Sequence, residues 1–183
     1  SPHPVGAYQW YPSLVSGQIY TSSGAKLNSM FQISPNVIGE YNTMSPSVAG
    51  LTDGGFVVAW NEANEIYAQL YNSSAIKLNS VFQINTYTNG YQVNPSVTEL
   101  MDGGFVVTWY GLGQEGYGND LGVSGQRYNS SGIKIGNNFF VNTYANGDQF
   151  NPSITGLKDG GFVVAWQSYG QDGSGQGVYG QLY

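Results

Sequence analysis

The chain has 183 residues and a net charge of −6, with Lys+Arg 5 against Asp+Glu 11, one histidine and no cysteine. A disulfide framework and a thiolate metal site are therefore excluded. The five basic residues (Lys26, Lys77, Arg127, Lys134, Lys158) are too scattered to form a patch for nucleic acid or an anionic membrane surface.

No run of about 18 apolar residues occurs, so no helix of this sequence inserts into a membrane. No signal peptide is visible, although a mature secreted chain would already have shed one. Charged residues make up 9% of the chain, beside 27 Gly and 15 Tyr. Such a surface is wetted by amides and hydroxyls, and the shortage of strong helix formers reads as all-β. The length suits one domain or a short array of small units.

In chain order, residues 1–44 read as a degenerate first repeat: "AYQW" (7–10), then "GQIYTSSGAKLNSMFQIS" (17–34). The second repeat, 45–93, is complete. "PSVAGL" (46–51) is strand a, with Pro46 at its start, where no ladder donor is required. "DGG" (53–55) is a tight turn in which Gly supplies positive φ. "FVVAW" (56–60) is strand b, with Phe56, Val58 and Trp60 on one face and Val57 and Ala59 on the other. Apolar residues on both faces mark a strand between stacked sheets. "IYAQLY" (66–71) alternates Ile66, Ala68 and Leu70 with Tyr67, Gln69 and Tyr71, as a half-buried strand c. "NSSAIK" turns the chain into strand d, "SVFQIN" (80–85).

The third repeat, 94–150, carries the phrase again as "DGGFVVTW" (102–109), and the partial fourth, 151–183, as "DGGFVVAW" (159–166). Trp10, Trp60, Trp109 and Trp166 are equivalent, as are Gln18, Gln69, Gln126 and Gln181. The Gln-to-Phe separation is 13 in all three complete cases (18→31, 69→82, 126→139), whereas Trp to Gln runs 8, 9, 17 and 15. Constant spacing marks scaffold, and variable spacing marks a loop free to change. Four-stranded meanders of about 45–60 residues that cover each other's faces are the units of β-propellers. The expected fold is all-β: tandem four-stranded antiparallel sheets within one domain of residues 1–183, β-propeller-like, the alternative being an open stack within a filament.

"GFVVAWQSYGQDGSGQGVYGQLY" (161–183) and "FFVNTYANGDQFNPSITGL" (139–157) resemble tandem repeats of very large secreted and cell-surface proteins of bacteria, RTX-type adhesins among them, and of some ciliate surface proteins. The resemblance covers residues 17–183. It implies an extracellular, non-catalytic role in adhesion, matrix or surface fibres, and it names no ligand. The glycine-rich nonapeptides that bind calcium in RTX blocks are missing, so their calcium chemistry is not carried over.

Four kinds of site are set against plainer roles. The loop between strands b and c in the fourth repeat, "DGSGQG" (172–177), places Asp172, Ser174 and Gln176 at the first, third and fifth places of a calcium loop. Tyr183 holds the twelfth place, which should be a bidentate Glu, so a flexible hairpin loop is the stronger reading and no cofactor is expected. Asn72 and Asn129 open "NSS" glycosylation sequons at equivalent turns, where Asn and Ser are also ordinary turn residues. Tyr110, Tyr117, Asn119, Asp120 and Tyr169 in the b–c loops have the ring-and-amide character of a sugar site, although tyrosine is also a common strand residue. Catalysis is not expected: His3 lies in the terminal "SPHP", and the acids Asp53, Asp102 and Asp159 recur in turns rather than in one cleft.

Strands number three, four, four and three by this reading, so a single closed ring is not assured. Degenerate end blades, a piece of a longer array and open ends completed by another chain all account for that count. An unpaired sheet edge recruits a strand from a neighbour, and a head-to-tail contact that does not close makes a filament. The expected partners are copies of the chain itself. The leading function is an extracellular or cell-surface structural or adhesive repeat, and the rival is a propeller lectin binding glycans.

Overall fold

The structure is a computed structural model that describes residues 14–34, 44–112 and 120–183. Trp10 and His3 lie outside these. Thirteen strands run through the described residues, with no helix. They are β1 (Ser16–Tyr20), β2 (Lys26–Gln32), β3 (Ser47–Gly50), β4 (Phe56–Glu62), β5 (Glu65–Tyr71), β6 (Phe82–Gln83), β7 (Gln92–Glu99), β8 (Phe105–Leu112), β9 (Leu121–Tyr128), β10 (Lys134–Phe140), β11 (Gln149–Gly156), β12 (Phe162–Tyr169) and β13 (Gln176–Leu182). They form four antiparallel meanders: β1–β2, β3 to β6, β7 to β10, and β11 to β13. Each is one repeat, so strand a is β3, β7 or β11, and strand b is β4, β8 or β12.

The sheets stack in sequence order: β7 lies on β3 and β4, and β11 lies on β7 and β8. The faces of strand b divide as the alternation predicts. Val57 and Ala59 pack toward the third repeat, with Phe105, Val107 and Trp109, while Val58 and Trp60 pack toward the first, with Val15 and Ile33. Among the described residues the stack is open rather than closed into a propeller ring.

Three local expectations need correction. Strand c of the second repeat is buried on both faces, Gln69 and Tyr71 included, because sheets cover it from either side. In the third and fourth repeats strand a begins ahead of its proline. Pro95 and Pro152 sit inside β7 and β11 at bulges, next to Asn94 and Asn151 with φ of 50° and 54°, and a bulge asks no ladder bond of a proline. The early start places Gln92 and Gln149 so that their Oε1 atoms accept from the buried Trp109 and Trp166 indoles at 3.1 and 3.2 Å. Strand d of the second repeat shrinks to Phe82–Gln83, because Asn79 Oδ1 takes the Gln69 Nε2 donor at 2.8 Å where a longer strand would lie.

Candidate functional site

The thrice-spelled phrase serves the hairpin between strands a and b. Asp53, Asp102 and Asp159 each accept from the backbone N–H two residues on, at Gly55 (2.8 Å), Gly104 (3.0 Å) and Gly161 (3.1 Å). The intervening Gly54, Gly103 and Gly160 have φ of 84°, 78° and 97°, open to glycine at no steric cost. The second glycine has a different reason. A Cβ on Gly55, Gly104 or Gly161 would meet the carbonyl oxygen of Tyr71, Tyr128 or Tyr183 at 2.4 Å, so only glycine lets strand c end against the turn. Among the described residues Asp53 and Asp159 bond only within the turn, whereas Asp102 also pairs with Arg127 at 2.8 Å on an exposed surface.

Each junction between sheets repeats one construction. Phe56 stacks on Tyr71, Phe105 on Tyr128 and Phe162 on Tyr183, at 4.9, 5.1 and 4.7 Å with rings 9° apart. A phenylalanine from strand d of the preceding sheet leans on each tyrosine, with Phe31, Phe82 and Phe139 at 5.5, 5.5 and 5.4 Å. Tyr128 and Tyr183 hydroxyls donate back across the junction to the Ile84 and Val141 carbonyls. At the inner strands the serine after each proline accepts from the next sheet: Ser47 Oγ from Val97 N (3.1 Å) and Ser96 Oγ from Ile154 N (3.2 Å). Within a sheet, Gln18, Gln69 and Gln126 tie strand c to d. Their Nε2 atoms donate to the carbonyls of Leu27 (3.0 Å), Asn79 (2.8 Å) and Ile135 (3.1 Å). Neither the serine nor the glutamine role is stated by the sequence, although fixed spacing from the proline and to the phenylalanine is the signal of both.

The β11–β13 sheet has the same construction on one face and solvent on the other. Val163 and Ala165 are half-covered, where Val57, Val106, Ala59 and Thr108 are fully buried. Val178 is 78% and Leu182 63% exposed, where their counterparts Ile66 and Val123, and Leu70, are at 2% or less. Ser153 is exposed, and Gln181 Nε2 on the edge strand β13 donates to Leu182 O at 2.8 Å. In the second repeat Val48 is 65% exposed among the described residues, whereas its counterparts Val97 and Ile154 are buried by the sheet before them.

Of the sequence-predicted ligand residues, Tyr110, Asp120 and Tyr169 fall among the described residues, and Tyr110 stands apart from the other two. Tyr110 lies in the junction with the fourth repeat, edge-on to Phe150 at 6.3 Å, and burial followed by Tyr91 raises its pKa. Asp120 Oδ2 accepts from Gly147 N at 2.9 Å, and that glycine lies against the Tyr169 backbone, so these two share one edge. Tyr169 is exposed; Tyr117 and Asn119 lie outside the described residues. Asp172 Oδ1 accepts from Ser174 N at 3.0 Å, an Asx turn inside a hairpin closed by Gly170 N to Gly175 O, while Gln176 starts β13 opposite Tyr169. No group of three or more His, Cys, Asp or Glu gathers among the described residues. Asn72 Oδ1 accepts from Ser74 N and Ile76 N, and Asn129 Oδ1 from Ser131 N and Ile133 N, all within 2.9–3.0 Å. Both sequon asparagines therefore cap their turns through the amide oxygen.

The fold is similar to the crystal structure of a protein of unknown function from Dyadobacter fermentans DSM 18053, with a TM-score of 0.55 and 13% sequence identity. The match covers 76% of this chain and 51% of that one, so this chain spans about half the length of that protein. At that identity the likeness concerns the fold alone. No family model and no curated protein matches the chain.

Proposed function

We propose that the protein is a non-catalytic extracellular structural or adhesive repeat, which associates with copies of itself through the open face of the β11–β13 sheet. The supporting observation is that face: an apolar row of Val163, Ala165 and Val178, whose counterparts in the second and third repeats are all covered by the next sheet, extended by Leu182, whose second-repeat counterpart Leu70 is buried. The occupant is a sheet of the same repeat, brought by a second copy, because the junction already made twice within the chain sets its pattern. Edge strand β13 offers a further ladder to such a partner. Repeated end to end, the contact makes a filament. Surface location is supported by the resemblance to tandem repeats of secreted proteins, and low charge opposes such packing little.

Sedimentation velocity across a wide concentration range tests the association. The wild type is expected to form higher species, and Val178→Lys with Leu182→Lys is expected to hold it monomeric at an unchanged melting temperature. A wild type that stays monomeric at the highest concentration, with no fibres by electron microscopy, overturns the reading.

A further inference from the structure

A cavity of about 490 Å³ opens between the connection leaving the second repeat and the β9–β10 edge of the third. Its walls include Tyr87, Ser124, Lys134, Asn137, Asn138 and Phe140. Its volume lies within the range of small-molecule sites. The repeat explains why it is open here. The third repeat has Ser124 and Gly136 where the second has Tyr67 and Asn79. In the second repeat Asn79 fills its position by taking the Gln69 donor, whereas a Cβ on Gly136 would meet nothing within 4 Å.

The same comparison makes the wall polar, since Asn138 replaces Val81 and Asn137 replaces Ser80. Asn138 Oδ1 is buried and has no hydrogen-bond partner among the described residues, so it is an acceptor awaiting a donor. Arg127 and Asp102 form the ion pair among the described residues, which leaves Lys134 without a carboxylate.

We propose that this cavity binds an acidic carbohydrate, an oligosaccharide of uronic acids, with Lys134 meeting the carboxylate, the Asn137 and Asn138 amides meeting hydroxyls, and Tyr87 and Phe140 facing the apolar side of a ring. Each part follows from the ligand's chemistry. Sugar hydroxyls donate to amide oxygens and accept from amide N–H groups, C–H faces lie on aromatic rings, and an ammonium recognises a carboxylate by charge-assisted bonding. Burial lowers the Lys134 pKa, a cost that a bound carboxylate offsets. The site is separate from the open face, so binding and self-association stand or fall independently.

Titration calorimetry with oligogalacturonates, and with neutral maltooligosaccharides as the contrast, tests it. The wild type is expected to bind the uronates in preference. Gly136→Asn restores the second repeat's residue and is expected to weaken binding at least tenfold, about 1.4 kcal/mol. Asn28 already holds φ of 65° at the equivalent position, so the variant is expected to keep its fold and its melting temperature. Lys134→Gln is expected to remove the preference for uronates over neutral oligomers. In the wild type, uronate is also expected to shift the side-chain amide resonances of Asn137 and Asn138. Absence of uronate binding, undiminished binding by Gly136→Asn, or resonance shifts confined to the b–c loops overturns the proposal.

Discussion

At the scale of single residues, the two glycines of each "DGG" turn are expected to fail in different ways when changed. Gly103→Ala adds a methyl in open space, with Thr52 Oγ1 at 4.0 Å, so it costs only the left-handed conformation, about 1 kcal/mol. Gly104→Ala drives a methyl to 2.4 Å from the Tyr128 carbonyl, which belongs to the strand ladder and cannot yield without breaking it. About 2 kcal/mol or more is expected, and urea unfolding of the two variants checks the order. The first glycine's reason is legible in the sequence, because a turn residue with positive φ is a local property. The second glycine's is not, since its partner lies a whole strand away at the far end of strand c.

At the scale of the element, the glutamines explain why the interval from Gln to Phe stays fixed at 13. Gln126 is buried and donates to the carbonyls of Arg127, Ile135 and Gly136, joining strand c to the bulge that opens strand d, with Phe139 three residues beyond. Changing it to Ala leaves these carbonyls without their donor, and a loss of about 2 kcal/mol is expected. Gln181 occupies the same place on an edge strand and is exposed, so Gln181→Ala is expected within about 0.5 kcal/mol of wild type in the monomer. Thermal unfolding at low concentration compares the two. The alternation and the fixed interval made strands and repeats readable. The bulges at Pro95 and Pro152 and the shrunken β6 were hidden, because they depend on which side chain reaches a backbone group on the neighbouring strand.

At the scale of the molecule, hydrophobic pattern shows that each sheet has two faces to cover but not the angle at which sheets succeed one another. The sequence therefore pointed to a propeller-like arrangement with the open stack as the alternative, and the cavity beside Gly136 was beyond it, since it arises from a difference between aligned repeats seen only once they are stacked. The junction tyrosines give the stack a shared response to alkali. Burial raises the pKa of Tyr71 from 10.0 to about 12, and raises those of Tyr128 and Tyr183 as well. Below pH 10 folded and unfolded chains both keep these protons, so the contribution is fully present. Above pH 10 the unfolded chain releases them while the folded chain holds them, and stability falls as the pH climbs toward the folded values. The melting temperature is expected to be level from about pH 7 to pH 9 and to drop beyond pH 10, tyrosinate absorbance rising together with unfolding. Tyr71→Phe separates the causes. Its hydroxyl is buried with no partner among the described residues, so the variant is expected to equal or exceed wild type at neutral pH and to lose less above pH 10. Tyr128→Phe gives up the bond to the Ile84 carbonyl and is expected to cost about 1 kcal/mol at neutral pH. A melting temperature that stays level beyond pH 12 would mean that these hydroxyls are not held in the junctions, and the stacked sheets would need another explanation for their aromatic pairs.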